Sequence, residues 1–498
     1  MRYVRLAQPE GNLYYELQIY YNINNGCPVV KKLWFAYLLC VSFSVTAERH
    51  PPNVIFVLAD DLGYNEIGAY GQQKIHTPNL DKLAEQGMRF TQFYAGAPVC
   101  ATSRSVLMTG QHAGHTRVRG NAFPEDNGRQ ELYAEDFTLA ELFKQANYRT
   151  ALIGKWGLGM NNTQGHPNEQ GFDYFFGYLS QHHAHNFYPT FLWRNDLKVG
   201  LPNTVRPMGN GHLYGAGVAV DKKVYAPDLF IDEALSFIQQ NRQQPFFLYY
   251  ATNVPHSNNE ATTIRRADGA EVPELGEYES TDWQLGSKRH AAMITRMDRD
   301  IGAMMEQVKQ LGMEDNTIFI FSSDNGPHVD HAEPMDFFSP SAPLQGWKME
   351  LWEGGIRVPL IVRWPATVPA NVVSNEVGYF GDFMATFADI TGQPVPAGTD
   401  SQSLMPLWQQ QTQNYKPHEY LYWEFKGRDT GVVALKDGRW KGIVRDEDPT
   451  RLALFDLAAD VAEQRDVSQD HPELVEELWA YLRSARSESE HWPPIITF

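Results

Sequence analysis

Cysteine is scarce in this 498-residue chain, and so is charge. Three cysteines are too few for the disulfide framework of a small secreted scaffold. Charged residues make up only 20%, yet 43% of the chain is hydrophobic and 12 residues are Trp, which excludes a mostly disordered protein. Basic residues are outnumbered, 42 against 60, for a formal charge of −18. A general nucleic-acid binder needs a basic face that this balance does not supply, although a local basic pocket for an anionic ligand remains compatible with it. Internal repeats are missing, which excludes a solenoid or propeller. The apolar run from Leu33 to Phe43 is too short to span a bilayer, so no stable membrane span is expected. What is left is one large or two linked globular domains with ample core-building capacity.

The segment KKLWFAYLLCVSFSVTA, residues 31–47, reads as a cleavable secretory signal. Lys31 and Lys32 form its positive region, and Val45-Thr46-Ala47 resembles a small-residue cleavage site. The residues before it have no apolar face, so Val29 or Val30 is read as the true start. Export to the periplasm or the outside of a bacterium is therefore expected. Cleavage after Ala47 removes Cys27 and Cys40 and leaves Cys100 as the one thiol. A lone thiol in an oxidising compartment cannot form an internal disulfide, so it is either inert or chemically used.

Beyond residue 48 the chain alternates helical patterns with short apolar runs. NVIFVLA (53–59), YRTALIG (148–154), PFFLYYA (245–251) and TIFIFSS (317–323) read as strands buried on both faces. Helices are expected over 77–87, with Thr77 as N-cap and Gly87 as stop, around Leu139 to Ala146, over 228–240 and over 290–311. This is an α/β pattern with a mainly parallel sheet, spanning 48–414. From 415 a smaller α+β domain is expected, with a hairpin over 431–444 turning at Asp437-Gly438, a strand over 453–457 and a helix over 471–485.

Each of the four strands is followed at once by polar residues: Asp60-Asp61, Lys155, His256 and Asp324-Asn325. Ligands bind beyond the carboxyl ends of strands in open parallel sheets, so these four sets should converge on one rim. Asp60, Asp61, Asp324 and Asn325 are hard oxygen donors without zinc-like cysteine or histidine spacing, which favours Ca²⁺ or Mg²⁺. Cys100 opens a short helix, and Arg104 lies one turn on. The free N–H groups at such a helix start should hold an anion and lower a thiol pKa.

Cys100-Ala101-Thr102-Ser103-Arg104 resembles the signature of type I sulfatases, a cysteine followed two residues later by proline and four later by arginine. NVIFVLADDLGY, CATSRSVLMTG, LIGKWGLG, Pro255-His256, SSDNG and LWEGGIRVPLIVRWP follow in the order of that family, and the tail segment LFDLAADVAEQRDV is similar to its C-terminal region. The resemblance implies an alkaline-phosphatase-like sandwich and hydrolysis of a sulfate ester, most often on a carbohydrate. It implies that a maturation enzyme oxidises Cys100 to formylglycine during export, and that the hydrated aldehyde attacks sulfur. Asp60, Asp61, Asp324, Asn325 and the modified Cys100 would surround Ca²⁺. Arg104, Lys155 and Lys348 would face the sulfate, and His256 would assist at the bridging oxygen as a general acid.

Two positions depart from the family pattern. Thr102 stands where proline is usual, and Gly157 where many members carry histidine after Lys-Trp. The segment QHHAHNFYP (181–189) supplies the expected compensation through His183 or His185. His112, His115, Arg117, Arg119 and Asn121, just past the nucleophile helix, are expected to form a substrate subsite. The acidic mean charge fits a pocket for a chain end or an oligosaccharide better than a groove along a highly sulfated polymer. Two other classes fit the same motifs: a phosphodiesterase or phosphonate monoester hydrolase, and a sulfated-glycan-binding protein without turnover.

Overall fold

The strand β1 (Asn53–Ala59) is buried along its whole length. Val54, Phe56 and Leu58 enter one core while Ile55, Val57 and Ala59 enter the other. A strand with helices on both faces has no solvent side, which is why its sequence does not alternate. The computed structural model describes residues 51–122, 130–208, 214–264, 269–328 and 337–497. The signal segment and the proposed start lie outside the described residues.

The other strands are β2 (Met88–Tyr94), β3 (Arg149–Lys155), β4 (Tyr174–Tyr178), β5 (Phe191–Arg194), β6 (Leu197–Gly200), β7 (Thr204–Pro207), β8 (Gly217–Asp221), β9 (Phe246–Ala251), β10 (Thr317–Ser323), β11 (Leu360–Arg363), β12 (Val372–Tyr379), β13 (Tyr420–Phe425), β14 (Gly431–Lys436), β15 (Trp440–Arg445) and β16 (Asp448–Asp456). Ten of them form one sheet in the order β12-β2-β11-β10-β1-β9-β3-β4-β5-β6. Its centre, β10-β1-β9-β3-β4, is parallel throughout. Antiparallel pairs occur towards the edges, where β11 runs against β10 and β2, and β5 against β4 and β6. Helices Pro78–Glu85, Ala226–Gln240 and Leu285–Gln310 pack on one face, and Cys100–Thr109, Leu139–Gln145 and Asp382–Thr391 on the other.

Local details differ from the sequence pattern for identifiable reasons. The long helix begins at Leu285 rather than 290, because Gly286 and Ser287, which read as breakers, are buried in its first turn. Thr77 precedes its helix without capping it. Its hydroxyl accepts from the Gly68 amide at 2.8 Å and donates to Asp81.

The strands β13 to β16 form a separate antiparallel sheet. One face adds Leu421, Trp423, Val433 and Leu435 to the core beneath the nucleophile-side helices, and the Trp423 indole donates to the Ala95 carbonyl at 2.9 Å. The other face packs Val432 and Val444 against Leu478 and Leu482 of the helix Pro472–Ser484. The hairpin turns through Asp437 and Gly438, both at positive φ.

A buried ion cluster ties this sheet to the rest. The Lys441 ammonium, fully buried in β15, reaches Glu353 at 3.0 Å and Glu463 at 2.8 Å. Tyr94 and Arg357 donate to the other Glu353 oxygen. Removing one partner of such a cluster leaves uncompensated buried charge, which costs about 3–5 kcal/mol. Lys441→Met should therefore lower the urea unfolding free energy by about that amount, read by far-ultraviolet circular dichroism.

Candidate active site

Backbone register builds the rim before any side chain does. In the parallel pairs Ala59 lies opposite Ser323, Leu58 opposite Ala251, and Gly154 opposite Ala251. Four adjacent strands thus end at one level. The Asp324 amide donates to the Ala59 carbonyl at 3.1 Å, and the Asp60 amide to the Val254 carbonyl at 3.0 Å. The four polar sets expected from the sequence do converge here.

Asp60, Asp61, Asp324 and Asn325 are all fully buried. Asp61 sits at φ 69°, a left-handed conformation that aspartate tolerates better than most residues. Its amide donates to Asp324 at 3.1 Å, and one carboxylate oxygen accepts from the Asn325 Nδ2 at 2.7 Å. Each carboxylate has its own cation. Lys155 Nζ lies 2.7 and 2.9 Å from the two Asp60 oxygens. Lys348 Nζ lies 2.7 Å from Asp61. Arg104 donates to Asp324 at 2.8 and 3.0 Å.

Burial raises the pKa of all three carboxyls, and the cations pull it back down. For Asp60, Lys155 and Arg104 win, and the value falls well below the carboxylate range. For Asp324, burial and the charge of Asp60 win, and it is pushed up to about 7. Asp61 is also raised, chiefly by burial.

Cys100 opens the helix Cys100–Thr109, every residue of which is buried. The Ala101 amide donates to the Asn121 side-chain oxygen Oδ1 at 3.2 Å. The Cys100 Sγ lies 3.8 Å from Asp61 Oδ1. The expected lowering of its pKa is not found. Burial pushes the thiol up, beyond the pull of Lys155 and Lys348. Arg104 also differs from expectation. Its Nη1 donates to the Lys155 carbonyl at 2.7 Å, its remaining nitrogens face Asp324 and Asp60, and its side chain is 1% exposed. It positions carboxylates and does not face an incoming anion.

A strap carries Lys348 over the thiol. The Lys348 amide donates to the Pro327 carbonyl and the Met349 amide to the Pro98 carbonyl. Gly326 lies so close to Gly354 that a Cβ there would be 1.9 Å from the Gly354 carbonyl oxygen. His256 completes the roof. Its Nδ1 lies 2.6 Å from the Ser257 carbonyl, which only accepts, so Nδ1 carries the hydrogen. Its Nε2 lone pair then receives Lys348 Nζ at 3.0 Å, with Asp61 at 3.3 Å. Burial and the cations around it keep this imidazole neutral.

The remaining expected residues divide. His185 reaches the site, stacked on His256 with centroids 4.8 Å apart, its Nδ1 3.2 Å from Glu260. His183 does not. It is buried between Tyr178 and Phe191, and burial pushes its pKa down to about 3. His115 and Arg119 are likewise spent elsewhere. His115 pairs with Asp400 at 2.9 Å, and Arg119 with Ser487 and the Thr116 carbonyl. Of the expected subsite residues Asn121 bonds the first turn of the nucleophile helix, while His112 accepts from the Gly114 amide and Arg117 pairs with Glu135 and Asp136. Sequence reasoning missed His328, whose ring lies 5.1 Å from His256, and Glu260. Neither carries a motif that marks it.

The oxygen donors of this site suit a hard cation, and a thiol and an imidazole stand beside them. Asp60, Asp61, Cys100 and His256 place one ligand atom each within 4.8 Å of one another. The Asn325 side-chain oxygen Oδ1 is buried beside them without a hydrogen-bond partner among the described residues. A buried acceptor left over amid carboxylates is what a bound cation would use.

Residues 52–393 match the family model described as Sulfatase, and residues 346–488 the model described as N-sulphoglucosamine sulphohydrolase, C-terminal. An N-acetylgalactosamine-6-O-sulfatase of Bacteroides thetaiotaomicron is 30% identical over 505 residues, covering 88% of this chain and 93% of that protein. A solved structure described under the metabolism of multiple glycosaminoglycans by the same organism superposes with a TM-score of 0.72 at 28% identity, covering 88% of this chain and 99% of the other. Ps i-CgsB in complex with k-i-k-neocarrahexaose superposes with a TM-score of 0.70 at 26% identity, covering 89% of this chain and 94% of that one. Among the described residues no helix is long and apolar enough to cross a membrane.

The raised Asp324 value has a pH consequence. Because the folded value of about 7 lies above the ordinary 3.8, its proton stabilises the metal-free fold below about pH 4, and that contribution is lost as pH rises towards 7. A divalent cation competes with this proton. Adding CaCl₂ to chelator-treated protein should raise the thermal midpoint, by the equivalent of about 2.7 kcal/mol at a hundredfold excess over Kd. The rise should be larger at pH 8 than at pH 5.5, measured by differential scanning calorimetry.

Proposed function

Because the chain belongs to the sulfatase family and is thereby a hydrolase of sulfate esters, we propose that it removes sulfate from a carbohydrate through an oxidised Cys100 and a bound Ca²⁺. The single observation that carries this reading is the placement of Cys100. Its sulfur lies 3.8 Å from Asp61, beneath the roof of Lys348 and His256. The carbohydrate is supported by the names of similar proteins, an N-acetylgalactosamine-6-O-sulfatase and a neocarrahexaose complex.

Asp60, Asp61, Asp324 and Asn325 would hold the cation, with the modified residue at position 100 beside them. An all-protein oxygen cage suits Ca²⁺ better than Mg²⁺, which retains several waters. When bound, the cation supplies Lewis acidity towards a sulfate oxygen. Formylglycine supplies an oxygen nucleophile in place of a thiol that burial keeps protonated. Three carboxylates already face three cations, Lys155, Lys348 and Arg104. An added divalent charge makes the site net positive and ready for an anionic ester.

The other residues orient and move protons. Arg104 holds Asp324 against the end of β3, and Lys155 holds Asp60. Lys348 Nζ donates to His256 Nε2 at 3.0 Å, so the proton is carried by the lysine, and the neutral imidazole orients it rather than acting as the general acid expected from the sequence. In this reading Lys348 gives that proton to the bridging oxygen as its bond to sulfur breaks, and is left neutral. His185 stacks on His256 and fixes its ring plane. Thr102 lies in the first turn of the nucleophile helix, where neither proline nor threonine disturbs the hydrogen-bond ladder. The segment 31–47 supports export, during which a maturation enzyme would act on Cys100.

Two measurements test this. The tryptic peptide Phe90–Arg104, FTQFYAGAPVCATSR, from protein made in its native host should be about 18 Da lighter than the thiol form. Sulfate release from monosulfated sugars should exceed phosphate release from the matching phosphate esters, and Cys100→Ala should lower it at least about a thousandfold, a loss of roughly 4 kcal/mol of barrier reduction. An intact thiol with sugar binding and no turnover would instead favour a glycan-binding role.

A further inference from the structure

Two glutamines face one small pocket beside the active site, and they are in opposite states. Gln130 is fully paired. Its Oε1 accepts from the Ala122 amide at 2.6 Å, and its Nε2 donates to the Gly157 carbonyl at 2.8 Å. Gln181 is 3% exposed, and among the described residues neither its Oε1 nor its Nε2 has a hydrogen-bond partner. Leaving both ends of a buried amide unpaired is costly, and a ligand that pairs them recovers that cost.

The side chain of Gln181 lies against Gly157. A Cβ at that glycine would stand 2.7 Å from Gln181 Nε2 and 2.9 Å from its Cδ, and Gly157 has φ 84°. Any side chain at position 157 would collide with the amide. The glycine therefore leaves room for Gln181 to present its amide to the pocket. The pocket measures about 90 Å³ and is lined by Gln181, Gly157, Gln130, Glu131 and His182 among others. A water needs about 10–15 Å³ on this measure, so the space suits one or two substituents of a sugar ring and not a whole chain.

Three of its walls continue directly into the active site. Gly157 follows Lys155, which holds Asp60, by two residues. Ala122 follows Asn121, which accepts from the amide next to Cys100. Gln181 begins the short helix Gln181–Ala184, and the next residue, His185, stacks on His256. These connections are the ground for placing at this pocket a group of a sugar whose sulfate sits over Cys100.

We infer that Gln181 is a substrate-binding and specificity-determining residue, whose amide donates to and accepts from an uncharged substituent of the sulfated sugar, a hydroxyl or an acetamido group. Among the described residues lining the pocket there is no lysine or arginine, and Glu131 is acidic. The inference rests on the sulfatase reading and adds to it which part of the sugar is recognised.

The test compares Gln181→Met, which keeps the volume and removes the amide, with Gln181→Ala and the parent. The substrates are 4-nitrophenyl sulfate, monosulfated hexoses and N-acetylhexosamines, and their monodeoxy analogues. The ratio of kcat/KM on the best sugar sulfate to kcat/KM on the aryl sulfate should fall at least tenfold in Gln181→Met. One deoxy analogue should show the parent's loss and no further loss in the variant. The thermal midpoint of Gln181→Met should equal or exceed that of the parent, because an unpaired buried amide is removed. A ratio changed less than threefold, or a midpoint lowered by more than 5 °C, would overturn the inference. If the parent turns over none of the substrates, the sulfatase reading fails separately. Calorimetric binding of the same sugars then decides, with a tenfold weaker Kd in Gln181→Met required, and absence of binding to the parent counting against the inference.

Discussion

Three carboxylates buried within one rim are the constraint from which the rest of this molecule follows. A buried carboxylate costs several kcal/mol unless it is matched by charge and hydrogen bonds. Asp60, Asp61 and Asp324 are each matched by a different cation drawn from a different part of the chain: Lys155, Lys348 and Arg104. Meeting that demand fixes the relative height of four strand ends and the direction of the nucleophile helix. It also fixes the path of the loop that straps Lys348 between Pro98 and Pro327. Arg104 shows the priority clearly. Its guanidinium is consumed in holding Asp324 and the end of β3.

The same electrostatics separate two tasks that the sequence merges. A helix start is worth about 0.3–1 kcal/mol to an adjacent anion, up to ∼2 in a partly buried setting. For Cys100 the desolvation of a fully buried sulfur outweighs that gain and the pull of two lysines. The site is built to stabilise negative charge that arrives with a ligand, and it does not generate a thiolate of its own. The neutral His256 fits this, since its Nε2 is turned to Lys348 and its Nδ1 hydrogen is pinned by Ser257.

Much of this is readable from residues alone, for physical reasons. The central strands announce themselves because they are covered on both faces, and only a fully covered strand of this length tolerates an unbroken apolar run such as NVIFVLA. Polar residues directly after such strands must lie near one another when the strands are parallel neighbours in register. The strands β5 and β6 at one end of the sheet are illegible, because four residues are too few to carry a periodic pattern. His115 and Arg119 mislead because nearness in sequence to the nucleophile helix is not nearness to its first turn. The chain leaves that helix at the opposite end and spends both side chains on Asp400 and Ser487. His183 and His185, two residues apart, face opposite environments, and only packing against Tyr178 and Phe191 decides which is which. Gln181 offers no charge and no motif, and its state exists only in the folded chain, where among the described residues no hydrogen-bond partner meets its amide.

The strap over Cys100 also sets a clock. Its closing contacts come from Lys348 and Met349, with Trp423 clamping Ala95 later still. Chains lengthen at about 5–20 residues per second, so roughly 250 residues separate the appearance of the thiol from that of its cover by about 12–50 s. Throughout that interval the helix Cys100–Thr109 lacks the strap and the helix Asp382–Thr391 that complete its burial. Chemistry at the sulfur by any agent larger than water has its opening then, and ends once the last third of the chain arrives.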